Sequence, residues 1–264
     1  MPVLSSPLAP LLRKLEGVIA LTPDEQTALL GLPSIIRRLK PRQDLINLGH
    51  KPSHCWLVVE GWVHRYMILS EGRRQILSFH MAGDFADLPS LYLPVLDFTV
   101  GTITPVTVVG IPHEALRRLA DTCPNIALWL WKDALTDAAM ARKWIASIGR
   151  RSAYQRLAHL FCEFHARLSA VGLVQDDRYK LPVTQVDLAD ATGMTSVHVN
   201  RTLKELRAAE LIALRGQELT ILDWGRLVKI AEFDSGYLQV QKVATPKPQI
   251  DETGVSASAY AQRV

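Results

Sequence analysis

The sequence predicts an α+β chain: an antiparallel β-roll first, then one long helix, then a winged helix-turn-helix. Three observations predict it. Between about residues 36 and 112, short apolar runs ("CWLVVEGWVHRYMIL", "RQILSFH", "VTVVGIP") alternate with turn signals ("KP", "EG", "SEGRR", "AGD", "TP"), as strands of a sandwich or roll do. After Pro124 neither glycine nor proline interrupts the chain until Gly149. The stretch "VTQVDLADATGMTSVHVNRTLKELRAAELIALRGQELTIL" then reads as two helices about a tight glycine turn, followed by a hairpin.

The elements follow in order. Leu11, Leu12, Leu15, Val18 and Ile19 recur at helical spacing. Thr22, Pro23 and Asp24-Glu25 start a second helix: a cap, a proline at the first helical position, then acids at the positive end of the dipole. Within the roll, "LSEGRRQIL" reads as a hairpin with its tip at Ser70-Glu71-Gly72. "HEALRRLADTCPN" is a short helix ended before Pro124. In the long segment Ala127, Trp131, Ala134, Ala138, Ala141, Ile145 and Ile148 recur at alternating steps of four and three. That is a coiled-coil-like seam, which either packs on its own domain or meets a second copy. Leu157, Leu160, Phe161 and Phe164 mark a further amphipathic helix, and residues 171–181 read as a polar loop. From Val243 onward, "PKP" and "SASA" without periodicity predict disorder. The expected divisions are 1–120 for the roll with its N-terminal helices, 121–149 for the long helix, 150–240 for the winged domain and 241–264 for the tail.

Composition bounds the function. A chain of 264 residues, 48% hydrophobic and 21% charged, is a globular protein of one or two domains. No apolar run approaches the ~20 residues needed to cross a bilayer, and the N-terminus does not read as a signal peptide. Cys55, Cys123 and Cys162 are dispersed and lack CxxC spacing. That argues against a disulfide scaffold, a zinc site or an iron–sulfur cluster, and fits the reducing cytoplasm. No metal or cofactor is expected. The net charge of +4 is compatible with an anionic partner. Phosphate-loop, nucleophile-elbow and zinc-deaminase motifs are all missing, so no enzyme is expected. Asp84 and Asp87, the nearest thing to a carboxylate pair, read as turn-formers and caps.

The helix pair carries the sharpest signal. Thr184 with Asp187 forms a T-x-x-D box, with Val186, Leu188 and Ala189 on the apolar side. Gly193 suits a left-handed turn and Thr195 caps the next helix. Val199, Leu203 and Leu206 bury that helix, leaving Val197, Arg201 and Lys204 opposite, flanked by His198 and Asn200. Either this is a helical hairpin with a solvated face, or the second helix enters a DNA major groove. In the second case Arg201 pairs with guanine, Asn200 reads adenine, Ser196 and His198 meet base edges, and Val197 presses on a thymine methyl. Thr184, Thr195, Lys204 and wing residue Arg215 then contact phosphates.

At this point the chain resembles the Crp/Fnr family of bacterial transcription regulators up to about residue 230. The resemblance rests on "VTQVDLADATGMTSVHVNRTLKEL" and on "EGWVHRYMILSEGRRQILSFHMAGDFADL", with Gly61 and Gly83-Asp84. It implies a cyclic-nucleotide-binding-like jelly roll as sensor, a dimerisation helix with Trp131, Ala134, Ala138, Ala141, Ile145 and Ile148 at its seam, and a homodimer on a near-palindromic operator in double-stranded DNA. RNA polymerase joins the expected partners. Departures from the pattern shape the effector expectation. Asp87 lies near the family's acid position, while Leu96 and Asp97 fall where cyclic-AMP binders carry Arg-Ser. A phosphate would meet Asp97 without a guanidinium, so an effector other than cyclic AMP is expected, in a pocket at Asp84, Asp87, Leu96 and Asp97. The N-terminus has no cysteine cluster, and His50, His54, His64 and His80 read as structural or surface residues rather than haem ligands. The competing reading is a small-molecule sensor module that does not itself touch DNA.

Overall fold

The computed structural model describes residues 6–16 and 18–239, so the tail expected over 241–264 lies outside the described residues. Two short helices come first, α1 (Ala9–Glu16) and α2 (Pro23–Leu30). Thr22 and Glu25 form a reciprocal capping box at the start of α2, with Pro23 at its first position. Two orphan N–H groups are thereby satisfied where the chain turns towards the roll.

The roll uses seven strands: β1 (Ile35–Leu39), β2 (Asp44–Ile46), β3 (His54–Glu60), β4 (Val63–Ile68), β5 (Arg74–His80), β6 (Thr99–Thr102) and β7 (Val106–Pro112). They form two antiparallel sheets, ordered β1-β7-β3 and β2-β6-β4-β5. Trp56, Val58, Val63, Phe98, Val100 and Val108 join one buried cluster in the roll. Alternation along the strands puts this set on one face of each sheet. Gly61 turns the chain between β3 and β4 at φ +87°, where an added Cβ would lie 2.3 Å from the Pro105 carbonyl oxygen. Only glycine fits that turn. The β4–β5 hairpin has its tip at Ser70–Gly72, as the sequence predicts.

α3 (His113–Thr122) leads into α4 (Pro124–Arg150), whose 27 residues span about 40 Å. Ile126, Trp129 and Leu130 bury its N-terminal half against α1, β3 and β7. The other face is open: Leu128 is 49%, Trp131 66%, Leu135 62% and Ile145 72% exposed. α5 (Ala153–Ala170) follows a second reciprocal capping box, Ser152 with Gln155.

The C-terminal part comprises β8 (Arg178–Lys180), α6 (Gln185–Thr192), α7 (Ser196–Ala208), β9 (Ile212–Arg215), β10 (Glu218–Ile221) and α8 (Trp224–Ala231). Residues 171–181 are therefore more than the polar loop expected. Arg178–Lys180 pair with β10 and complete a sheet ordered β8-β10-β9, with Tyr179 buried beneath it. The strand has only three residues, too few for a period of two to stand out. Roll and winged part share one apolar core: Trp62, Ile76, Phe79 and Met81 join Leu157, Phe161, Phe164, Leu188 and Ala191. Phe79 and Phe164 meet edge-to-face at 5.3 Å.

Candidate nucleic-acid interface

Local chemistry positions the two helices. The Thr184 hydroxyl accepts from the Asp187 N–H, and the Asp187 carboxylate accepts from the Thr184 N–H at 2.9 Å. Gly193 closes α6 at φ +66°, ψ +35°, the left-handed cap that glycine adopts without strain. The Thr195 hydroxyl accepts from the His198 N–H at 3.2 Å and opens α7. Val199, Thr202, Leu203 and Leu206 bury one side of α7. Val186 departs from expectation: it is 54% exposed, so Leu188, Ala189 and Ala191 carry the buried side of α6.

The opposite face of α7 is bare. Val197 is 79% exposed and the Arg201 side chain 68%. Ser196, Thr195 and Lys204 are exposed beside them, while His198 and Asn200 are half-buried. The nearest acid to Arg201 is Glu205 at 3.9 Å, an exposed contact that holds the guanidinium weakly. The Asn200 amide donates to the Gln185 side-chain oxygen at 3.1 Å. Gln185 is thus a member of this surface that sequence reasoning missed. The available signal is an amide directly after the Thr184 cap, at the free start of α6. Arg215 is exposed at the end of β9, next to the Gly216 turn of the wing. A free helix N-terminus with an Arg and a Val on its outer face has the shape and charge to enter a groove lined by phosphates.

The expected effector residues do not converge. Asp84 lies between Lys14 (2.9 Å) and Arg167 (2.8 Å). Burial alone would raise its carboxyl, but these two cations hold it well below the usual range. Asp87 is fully buried elsewhere, accepting from the Trp56 N–H at 2.6 Å and the Ser90 hydroxyl at 3.1 Å. Burial pushes it up to about 7. Leu96 is part of the roll core and Asp97 faces solvent. The two lie in the bends that precede β6, where neighbouring residues are free to face core and solvent. What the fold does supply is a cavity of about 430 Å³ where roll, α4 and α5 meet. Lys14, Arg65, Asp84, Trp129, Asp137 and Arg167 are among its walls. Arg65, from β4, donates to the Ala86 carbonyl at 2.7 Å and pairs with Asp137 of α4.

On α4 the bare apolar stripe runs Leu128, Trp131, Leu135, Ala138, Ile145. It shares Trp131, Ala138 and Ile145 with the expected seam. Ala134 and Ala141 are also exposed and Ile148 is 37% exposed, but Leu128 and Leu135 are the larger apolar groups sequence reasoning passed over. Among the described residues no cluster of His, Cys, Asp or Glu is arranged to hold a metal ion, and no helix is long and apolar enough to cross a membrane.

Comparison with known proteins agrees with this geometry. Residues 155–230 match the Crp-like helix-turn-helix domain and residues 36–123 the cyclic nucleotide-binding domain. The chain is 30% identical over 176 residues to the nitrogen fixation regulation protein FixK of Bradyrhizobium diazoefficiens, covering 66% of this chain and 72% of that one. It is 24% identical over 209 residues to the fumarate and nitrate reduction regulatory protein of Vibrio cholerae, covering 78% and 83%. The solved structure of FixK2 from Bradyrhizobium japonicum superimposes with a TM-score of 0.68 at 24% identity, over 75% of this chain and 98% of that one. These relatives are regulators rather than enzymes. With an antiparallel roll, a long helix and a winged helix-turn-helix in that order, the chain belongs to the Crp/Fnr family of DNA-binding transcription regulators.

Proposed function

We propose that the protein acts as a homodimer that reads a near-palindromic operator through α7. The observation that carries this is the bare outer face of α7, with Val197 at 79% and Arg201 at 68% exposure while Val199, Leu203 and Leu206 are buried. Ser196, Val197, His198, Asn200 and Arg201 read bases in this proposal, and Thr184, Thr195, Lys204 and Arg215 contact phosphates. Asn200 turns from Gln185 to reach an adenine in this reading, so Gln185 lies next to the proposed contact. The exposed stripe of α4, from Leu128 to Ile145, supports two-fold pairing of protomers, since an apolar seam of this length is costly in water. Two reading helices then sit about one helical turn apart on the duplex.

Regulation in this reading comes from an effector other than cyclic AMP. The roll segment around Asp97 offers a phosphate no guanidinium, and the open space lies instead at the junction of roll, α4 and α5. Selecting bound duplexes from a random pool tests the DNA reading. Two inverted half-sites are the expected outcome, and failure to enrich any sequence would overturn it. Titration calorimetry with cyclic AMP is expected to show no heat; micromolar or tighter binding would refute the effector reading.

A further inference from the structure

The roll does more than lie beside the reading domain. Arg74, the first residue of β5, reaches α6 and bridges two of its carboxylates. Its Nη2 donates to Asp187 Oδ1 at 2.6 Å and its Nε to Asp190 Oδ2 at 2.7 Å. The contact is shielded, with side-chain exposures of 27% for Arg74, 12% for Asp187 and 24% for Asp190. On its own side Arg74 is held by the roll: Nη1 lies 3.5 Å from His64 Nε2, and the guanidinium lies 6.0 Å from the centre of the Tyr66 ring. A second tie holds the far end of α6. Arg156 of α5 donates from Nη1 to the Thr192 carbonyl at 2.7 Å and from Nε to the Ser147 carbonyl of α4 at 3.1 Å. Beneath both ties, Ile76 and Phe79 of β5 share a core with Leu188 and Ala191 of α6.

We propose that Arg74 is a positioning residue for DNA reading: bridging Asp187 and Asp190, it fixes the angle at which α7 leaves each protomer and hence the spacing of the two reading helices. This rests on the dimeric regulator reading above. The residue chemistry suits the task. A guanidinium is a planar fork that satisfies two acceptors at once, which an ammonium does with far less directional control. α6 is the element to grip, because it packs directly on α7 and Asp187 is already locked into its capping box. The clasp leaves the reading face free, with Val197 and Arg201 in solvent, so it presents α7 rather than covering it. A clasp of this kind raises affinity for two linked half-sites by preorganising them, and contributes nothing to recognition of one half-site.

That asymmetry gives the test. Fluorescence anisotropy is measured on the selected operator, on versions with the half-sites moved apart or together by one and two base pairs, and on a duplex with a single half-site. Arg74→Ala is expected to weaken the full operator by about tenfold or more, to flatten the spacing preference, and to leave the single half-site within about twofold. Arg74→Lys should fall between. The exchanged pair Arg74→Asp with Asp190→Arg, which spares the capping Asp187, should restore the preferred spacing. Parallel loss on full and half-site duplexes, or a spacing preference as sharp as that of the parent, would overturn the proposal. A readout without DNA covers variants that fold poorly: spin labels at Lys204 of both protomers should give one narrow distance distribution, broadened by Asp190→Asn. An unchanged distribution there also overturns it. If the parent protein binds no DNA, the regulator reading fails by itself, and the label distances alone decide the clasp.

Discussion

Two regions of the molecule carry similar charged side chains and use them oppositely. On the outer face of α7, Arg201 and Lys204 stand in solvent, and the acid beside Arg201, Glu205 at 3.9 Å, is itself exposed. At the junction of roll, α4 and α5, Lys14, Arg65 and Arg167 are paired with Asp84, Asp133 and Asp137. A charge left in water costs the fold little and keeps its capacity for a partner. A charge taken out of water is tolerable only with its counter-charge in place, and then it ties elements together. The reading face is therefore expected to be dispensable for stability and essential for binding, and the junction the reverse.

The largest expected effect tests the junction. Arg167 donates to Asp84 and to the Phe79 carbonyl, each at 2.8 Å, and lies 3.5 Å from Glu163, which is fully buried. Arg167→Met leaves both acids short of a cation in a buried site. A loss of about 3–5 kcal/mol is expected. That corresponds to a fall in Tm of roughly 6–20 °C for a chain of this size, read by calorimetry. A shift no larger than that of a surface variant would remove the contrast between the two regions.

Acidity probes the same buried groups. Burial, reinforced by Arg74, pushes the His64 ring down to about 4, and burial with Arg65 pushes His80 down to about 3. Both rest neutral in the folded protein, whereas the unfolded chain protonates them below about 6.5. The unfolded state then binds more protons, so stability is lost as pH falls from about 6.5 towards 4. Asp87 has the opposite sign. With its carboxyl pushed up to about 7, it holds a proton in the folded state that the unfolded chain has released. Its contribution is present below about 4 and is lost as pH rises through 7. Asp87→Asn should therefore raise Tm at pH 8 by a few degrees and change it least near pH 4, since an amide can still accept from Trp56 and face Ser90. Equal shifts at both pH values would show that Asp87 is not the group that titrates.

How legible each region was follows from the range of its interactions. The Thr22 and Thr184 caps, the Gly193 turn and the Thr195 cap involve residues at most three or four apart, so motif and geometry coincide. The buried stripe of α7 repeats with the helical period and is equally plain. The junction pairs are 70 residues apart for Lys14 with Asp84 and 72 for Arg65 with Asp137, and the clasp of Arg74 with Asp187 spans 113. No periodicity links residues so distant; only the closed roll and the docked α6 bring them together. The same reason explains the effector residues. Leu96 and Asp97 are adjacent in sequence, yet one is buried in the roll core and the other exposed, in a bent connection before β6 that has no period to read. On α4 the helix was plain but its outward face was not, because Leu128 and Leu135 are as apolar as the residues that pack inward.

On the reading face the expected effects are smaller and of another kind. Arg201→Ala should leave stability within about 0.5 kcal/mol of the parent. It should cost about 1–3 kcal/mol of binding at one base position and relax specificity there, measured across operators that vary that base. Uniform weakening on every sequence would reassign Arg201 to the backbone.

Lys204 is the finest test, because it separates reading from positioning on one helix. It follows Arg201 by three residues and is exposed on the same side, further from the free N-terminus of α7. At that distance along the helix an ammonium reaches phosphate more readily than a base edge. Lys204→Ala should therefore weaken all sequences alike, leave the base preference unchanged, and reduce the slope of log K against log salt by about one. Each phosphate contact releases roughly one condensed counter-ion, so the slope counts such contacts directly. A salt slope equal to that of the parent would mean that Lys204 faces water in the complex, and that α7 enters the groove with its Val197 end alone.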